Sequence, residues 1–478
     1  MVSNRWGGYS FLSRDNYERF LRGEPVDDSR GEQELEKGAF YPSDGSKARI
    51  QQAMLDRYHF LKGGPTLHAM VLTERCNHGC QYCHSSVVGM GRLDTDMSRE
   101  TAEASVRFAL STTSPWLTIE FQGGEPTANW DVLTHIVITA REQNRVLRKE
   151  LSFSLVTNFS LMTEERMHWL IENRVQVCTS LDGPEALHNS IRLFRDGNSY
   201  QNVITWIQRF NDAYEARGLD PTLYRIEALP TITKDSLSQP KAIVNAFTEA
   251  GCRAIFIRKL DPFGFAQKTR KRLGYTIEDF LVFYGLTLDY IIEQNLAGVE
   301  VLERNAAIML SKAIGGVDPN YLDLRTPGGA AIGQLAYHPN GNIYSSDEGR
   351  MVAAMGDETF LLGNVMESSY ESLMRSPEVK ALVLASVNLN EPGCNQCVYQ
   401  PYCGLQPEYN YKTQGSLSGR MAESPWCQKH KGIFDKVFQT YAEGSPAVRE
   451  VMERWTTSRP REHFIQKIGD DSPSTGAP

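Results

Sequence analysis

The sequence predicts an α/β protein: a partial parallel barrel of six strand–helix units, a helical bridge, and a small cysteine-rich C-terminal domain. Three observations predict it. From Thr66 onward, strand-length and helix-length segments alternate six times, and that rhythm specifies a parallel sheet with right-handed crossovers. Six units fall short of the eight that close a standard barrel. The first strand delivers the chain into a cysteine-dense loop, and a second cysteine group lies near the C-terminus.

Composition narrows the function classes. The chain has 478 residues, room for two or three domains with real cores. It is 41% hydrophobic and 23% charged, values of a soluble globular protein. A net charge of −8 with no long basic run points away from nucleic acid. No apolar stretch reaches the roughly 20 residues needed to span a bilayer, so no membrane partner is expected. Met1 to Trp6 lack an apolar signal core. Nine cysteines, clustered rather than dispersed, suit a reducing compartment, and the expected location is cytoplasmic.

The elements follow in order. Residues 1–65 read as an N-terminal cap or a peptide-recognition element. It has a strand pair over Arg5 to Leu12, helices over Asp15–Leu21 and Ile50–Leu61, and a polar loop between them. Residues 66–265 form the barrel. Its strands are expected at Leu67–Leu72, Trp116–Phe121, Leu151–Val156, Val175–Leu181, Tyr224–Leu229 and Ala254–Leu260. Its helices are expected from the Ser98 cap to Leu110, over Trp130–Leu147, after the Thr163 cap, over Tyr200–Ala216 and over Ala242–Ala250. Glu164 and Glu165 suit the positive end of the third. Residues 266–325 form the bridge, with helices from Thr276 to Asn295 and from Val301 to Ile314. Residues 326–440 form the C-terminal domain. There Pro339-Asn340-Gly341 signals a hairpin and Ser376-Pro377-Glu378 a helix start. Residues 441–478 are a tail, disordered from Asp471 onward.

The loop after the first strand carries Cys76, Cys80 and Cys83 in C-x3-C-x2-C spacing. Three soft thiolates in so tight a loop can hold three irons of a 4Fe-4S cluster and leave the fourth iron open. Zinc would normally close with a fourth Cys or His. His78 and His84 are at hand, so ligand type alone leaves zinc standing. Cys178 and Cys252 stand alone in apolar contexts and read as small core residues.

In parallel α/β folds ligands bind at the carboxyl ends of strands. After the second strand comes Gln122-Gly123-Gly124-Glu125-Pro126. Its glycines permit close backbone approach and its carboxylate can accept from an ammonium group; the bland alternative is a turn before a helix. After the third comes Thr157-Asn158-Phe159. After the fourth come Ser180-Leu181-Asp182-Gly183-Pro184, His188 and Arg192, with Asp182 readable as a turn cap and His188 as structural. Arg258 and Lys259 end the sixth, facing either a peptide carboxylate or solvent. The second cysteine group is Cys394, Cys397, Cys403 and the distant Cys427. Four thiolates there can close a zinc site or a second 4Fe-4S cluster.

The cysteine loop, with Tyr82 just before its third cysteine, resembles that of the radical S-adenosylmethionine (radical SAM) enzymes. The resemblance implies the partial barrel and the cofactors: a 4Fe-4S cluster whose open iron is chelated by S-adenosylmethionine (SAM). It implies reductive cleavage of SAM and hydrogen abstraction by a 5′-deoxyadenosyl radical. Tyr82, Gly123, Gly124, Glu125, Asn158, Ser180 and Arg192 are the implied cofactor-binding residues. The Gly-Gly-Glu-Pro motif would meet the methionyl amino group, and Arg192 its carboxylate in a bidentate pair. Phe159 departs from the usual Thr-Asn-Gly, which predicts a rearranged backbone.

The C-terminal cysteine pattern resembles the SPASM domain of peptide and protein maturases such as anaerobic sulfatase maturases. Cys394, Cys397, Cys403 and Cys427 match its outer auxiliary 4Fe-4S cluster one by one. The cysteines of an inner cluster are missing: Ser346 stands where one is expected, and Cys403 is followed by Gly-Leu-Gln-Pro407. Asp347 matches a maturase aspartate thought to act as a base. Over residues 1–440 the chain is most similar to the radical SAM maturases of His-Xaa-Ser peptide systems, on Leu61-Lys62-Gly63-Gly64-Pro65-Thr66-Leu67-His68 and Tyr344-Ser345-Ser346-Asp347-Glu348-Gly349-Arg350. That implies a short ribosomally made precursor peptide as substrate and a reducing partner such as flavodoxin or ferredoxin. The alternatives are a radical SAM enzyme acting on a protein side chain or small metabolite, and a non-catalytic iron–sulfur or zinc module. Glu125, Ser180 and Arg192 argue against the module, which needs no cofactor pocket.

Overall fold

A computed structural model describes residues 1–41, 43–316, 318–457 and 459–467. Six parallel strands stand side by side in chain order: β1 (Leu67–Thr73), β2 (Trp116–Gly123), β3 (Glu150–Val156), β4 (Val175–Ser180), β5 (Glu227–Leu229) and β6 (Ala254–Ile255). The chain folds as the α/β partial barrel that the strand–helix rhythm predicts. Helices Arg99–Leu110, Trp130–Leu147, Glu164–Glu172, Ser199–Ala216 and Pro240–Glu249 make the crossovers. Ser98 Oγ accepts from the Thr101 N–H, and Thr163 Oγ1 from the Arg166 N–H, as capping predicts.

Alternation along the strands decides which face is inside. Met70, Leu72, Leu117, Ile119, Phe121, Leu151, Phe153 and Leu155 are buried against helix residues such as Val106, Leu133, Ile136 and Leu170. Each such side chain contributes about 1.5–3 kcal/mol by leaving water. The opposite face, which the sheet curls around, carries Glu120, Ser154, Gln176, Cys178 and Glu227. Register aligns them across neighbouring strands: Glu120 with Ser154, Ser154 with Gln176, Cys178 with Glu227. All five stay within reach of solvent. The interior is therefore a polar cavity rather than the side-chain-filled core of a closed barrel.

Both edges of the six-strand sheet are extended. β7 (Leu302–Glu303) runs parallel to β6, where the sequence predicts the start of a helix; the helix begins at Arg304. Across the other edge, β8 (Gln334–Tyr337) pairs parallel with β1, and β9 (Asn342–Tyr344) and β10 (Leu361–Asn364) continue antiparallel. The predicted hairpin thus continues the barrel sheet. His68 seals this junction. Its Nδ1 meets the Tyr337 hydroxyl at 2.8 Å and its Nε2 the Pro65 carbonyl at 3.2 Å. Burial lowers its pKa to about 4, so the ring is neutral.

Other elements differ from expectation. The polar stretch read as a loop contains helix Ser29–Lys37, and the following helix spans Asp44–Arg57 instead of starting at Ile50. Leu35 is fully buried, packing with Val2 and Val26 into a small separate core. A single buried leucine among charges gives too weak a period to see in sequence. The sixth strand ends at Ile255, and Arg258–Lys259 pairs separately with Thr231–Ile232. Helix Phe265–Leu273, basic and largely exposed, was not foreseen. The expected disorder from Asp471 lies outside the described residues.

Candidate functional site

The cysteine loop opens at the carboxyl end of β1. Two glycines bring the next motif against it. Gly123, at φ +135°, and Gly124 lie so close to the incoming chain that an added Cβ would meet the Thr73 and Arg75 carbonyls at 2.2 Å. Only glycine tolerates that approach. The Gly124 and Glu125 N–H groups donate to those same carbonyls, at 2.8 and 2.7 Å. Arg75 is fixed in turn by an ion pair with Asp96.

Glu125 is fully buried and its carboxylate is fully used. It accepts from the Thr127 N–H and hydroxyl, the Thr157 hydroxyl and the Asn158 N–H. Burial raises its pKa. Its observed work is to clamp the end of β3 beside the cysteine loop. From there the Asn158 amide nitrogen lies 3.6 Å from Cys76 Sγ and 3.3 Å from Asn77 Oδ1.

Phe159 takes the left-handed conformation that favours glycine, at φ +62°. A side chain there costs about 1–2 kcal/mol. Its ring offsets this by complete burial, stacked on Phe210 at 5.6 Å.

A two-strand ladder ties the loop to the far side of the barrel. His78–Cys80 pairs antiparallel with Arg192–Phe194, which sets Cys80 opposite Arg192. Asp182, readable from sequence as a turn cap, is the hub of this region. Its buried carboxylate accepts from the Tyr82 hydroxyl at 2.7 and 2.9 Å, from Arg192 Nε at 2.9 Å and from the Thr231 N–H at 3.0 Å. The Arg192 guanidinium lies over the Tyr82 ring, 5.4 Å from its centre. Tyr82 and Arg192 thus meet each other and Asp182, while Ser180, partly exposed, ends β4 two residues before Asp182.

His188 is structural, and the network assigns its tautomer. The Asp182 N–H donates to His188 Nδ1 at 3.3 Å, so the proton sits on Nε2 and goes to Ser199 Oγ at 2.9 Å. The Ser199 hydroxyl then donates to His78 Nε2 at 3.0 Å, and His78 Nδ1 faces Asn77 Oδ1. Burial lowers His188 to about 4 and His78 to about 3, so both rings are neutral. His78 also stacks flat on Phe194 at 4.5 Å.

The thiols feel one another. Burial first, then Glu125 and the other two cysteines, raise Cys76; burial raises Cys80 to about 11 although Arg192 opposes it. Thiolates there need a positive counter-charge, which a metal centre supplies. Burial, and after it the neighbouring thiols of the group, raise Cys394, Cys403 and Cys427. Asn388 holds that second site, donating to the Gln400 and Cys403 carbonyls at 2.9 Å each. Cys427 sits in the first turn of helix Pro425–Glu443. Among the described residues, no three His, Cys, Asp or Glu side chains gather closely enough to hold a single metal ion. A four-iron cluster spreads its ligands more widely, and thiols are the donors it takes. Cys252 is buried core, whereas Cys178 lines the cavity.

Asp347 opens helix Asp347–Ala353 beyond β9. Its Oδ1 accepts from Arg350 Nε and Nη2 at 2.9 and 2.6 Å, and its charge reaches His84 and Glu120. Ser346, where the resemblance expects a cysteine, donates to Glu408 Oε1 at 2.7 Å, as does Ser345. Arg258 is exposed, its guanidinium lies over the Phe256 ring at 5.2 Å, and the charges of Asp323, Glu348 and Asp261 act on it; Lys259 instead meets the Leu260 carbonyl. Sequence reasoning missed Tyr321, Asp323, Glu348 and Glu408, because only the fold brings them together.

A half-open barrel, polar inside and carrying three thiols at the end of its first strand, is built to work on a ligand inside the cavity with an iron–sulfur centre beside it. Residues 70–239 match the Radical SAM superfamily, and this part of the chain is a radical SAM enzyme domain. Enzymes of this superfamily use a 4Fe-4S cluster and SAM. A cysteine-type anaerobic sulfatase-maturating enzyme of Clostridium perfringens is 23% identical over 372 residues, 76% of this chain and 93% of that one. Among solved structures, native anSMEcpe with bound AdoMet and Cp18Cys peptide aligns with a TM-score of 0.63 at 21% identity, covering 82% of this chain and 100% of that one. Streptococcus suis SuiB bound to precursor peptide SuiA aligns with a TM-score of 0.53 at 16% identity, covering 84% and 86%. Among the described residues, no helix is long and apolar enough to cross a membrane.

Proposed function

We propose that the protein is a maturase that modifies residues of a ribosomally synthesised peptide. The observation that carries this reading is the polar, solvent-reached cavity between the cysteine loop and the β8–β10 extension, with strand-end charges on both sides. Similarity to a sulfatase-maturating enzyme, and to folds solved with peptides bound, supports it. Cys76, Cys80 and Cys83 would hold the SAM-binding cluster, and Cys394, Cys397, Cys403 and Cys427 an auxiliary one. When bound, the cluster and SAM supply the 5′-deoxyadenosyl radical that abstracts a substrate hydrogen.

The chain's own residues orient and enclose. Gly123 and Gly124 let the second strand end lie against the loop that carries the thiols. Asp182 fixes Tyr82 and Arg192 beside Cys80, and Asn158 and Ser180 border the cofactor's place. Asp347, at the cavity, is the candidate proton acceptor, with Arg350 holding its carboxylate in position. The N-terminal 65 residues are the candidate contact for a leader segment.

The test starts from the open reading frames beside this one, searched for a short peptide with repeated motifs. Reconstituted enzyme, SAM and reductant should change that peptide's mass and form 5′-deoxyadenosine. Modification of a folded protein or small metabolite, with the peptide untouched, would overturn the reading.

A further inference from the structure

One corner of the cavity is more acidic than its cations neutralise. It is built by Asp323 near the end of the bridge, Asp347 and Glu348 at the start of one helix, and Glu408 in helix Pro407–Gln414. Asp347 is paired with Arg350, and Asp323 faces Arg258 and Lys429. Lys259 and Lys429 also face Asp261. Arg258 faces Glu348 and Asp261 as well, so its one charge is shared among three carboxylates. Glu408 is fully buried, and while its Oε1 takes both serine hydroxyls, its Oε2 has no partner. Glu348 Oε2 has none either and is itself buried, although Glu348 as a whole is partly exposed.

A buried acceptor without a donor costs about 1–3 kcal/mol, so a ligand that reaches this corner gains by donating hydrogen bonds. It should also carry positive charge, because Asp323, Asp347 and Glu408 all oppose an ionised Glu348. Together with burial they raise Glu348 to about 8. A single metal ion does not fit, since no three of these groups converge closely enough.

We propose that Glu348, backed by Glu408 and Asp323, receives a basic side chain of the peptide substrate. An ammonium, guanidinium or imidazolium group would donate to the free carboxylate oxygens and lower the cost of ionising Glu348. Binding at pH 7 would therefore expel a proton from Glu348. The site also gives the substrate a register, because Asp347 is the adjacent residue and its charge reaches His84, next to the last loop cysteine. The inference rests on the peptide reading above.

The test uses full-length protein, anaerobically reconstituted, with SAM present. Blocked pentapeptides, acetyl-Gly-Gly-Xaa-Gly-Gly-amide with Xaa as Lys, Arg, His, Leu or Glu, are titrated calorimetrically in two buffers of different ionisation heat. Peptides with Lys or Arg should bind about tenfold more tightly than those with Leu or Glu, a difference of about 1.4 kcal/mol, and should release a proton. Glu348→Gln should lose both the preference and the release. Binding without charge preference, or a preference unchanged in Glu348→Gln, would overturn the inference and leave the peptide reading intact. If no peptide bound while SAM was still cleaved, both would fall.

Discussion

The two cysteine groups are built on different plans. The C-terminal four close on themselves: three lie within ten residues, the fourth starts a helix, and Asn388 grips the backbone between them. The loop at Cys76, Cys80 and Cys83 has no fourth thiol. It is held instead by groups from other strand ends: the Glu125 N–H after β2, the Asn158 side chain after β3 and the Asp182 carboxylate after β4, which the Thr231 N–H after β5 fixes in turn. A closed site needs only its own segment. An open one needs the barrel, because whatever completes it must be positioned by residues far apart in sequence.

The largest effect should come from emptying the open site. Replacing Cys76, Cys80 and Cys83 together by Ala should abolish reductive cleavage of SAM, read as 5′-deoxyadenosine under anaerobic reducing conditions. Undiminished product would remove the loop from the chemistry. The same variant sharpens the comparison, since it should keep the closed site. Reconstituted wild type should hold about eight irons per chain and the variant about four. Stoichiometric zinc in the variant, with no Mössbauer cluster signal, would reassign the second site.

Next in size is Asp182→Asn. It removes the charge facing Arg192 and the acceptor for Tyr82, and breaking such a buried pair costs about 3–5 kcal/mol. Denaturant unfolding should register that loss, and the cluster's electron paramagnetic resonance signal should broaden or shift as Cys80 loses its brace. An unchanged signal with full stability would show that Asp182 is only a turn cap.

Glu348 predicts a pH effect. Its folded pKa lies near 8, raised by burial and by Asp323, Asp347 and Glu408, whereas an unfolded carboxyl titrates near 4.3. Between those values the folded state binds more protons than the unfolded, so stability falls as pH rises from about 5 to 8. Glu348→Gln should flatten that decline in the melting temperature. A slope that the substitution leaves untouched would put the titrating group elsewhere.

The smallest effect separates strain from burial at Phe159. Phe159→Ala loses the stacked ring and keeps a side chain in the left-handed region, at about 3 kcal/mol. Phe159→Gly loses the ring but sheds the strain, and should be about 1 kcal/mol less costly. Equal losses would mean that the backbone relaxes.

The first cysteine loop, the glycine pair and the strand-end Asn158, Ser180 and Arg192 were legible because each is a local pattern with one chemical use. Helix boundaries such as Arg99–Leu110 and Trp130–Leu147 were legible from caps and period. What sequence could not convey was pairing at a distance. Asp182 looks like any turn aspartate until Tyr82 arrives from 100 positions away. Glu408 looks like the start of a helix until the two serines meet it. Helix Ser29–Lys37 was lost because charges cover nearly all its faces, and β7 because two residues give no period. The left-handed backbone at Phe159 could not be read locally, since buried ring stacking can hold a conformation that the residue alone disfavours.

The pairing of β8 with β1 has a consequence for how the protein is made. Gln334 bonds in register with Leu67, and Ile465 with Ser152 at the foot of β3. A ribosome exposes the apolar first strand long before its partner exists. At about 5–20 residues per second, that edge waits on the order of tens of seconds with unpaired backbone groups, a template for mispairing with other nascent chains. Closing so long a loop adds little entropy cost beyond that of a shorter one, so the delay is a matter of timing rather than stability. Chains truncated before residue 334 should therefore aggregate during synthesis even when all six barrel units are present.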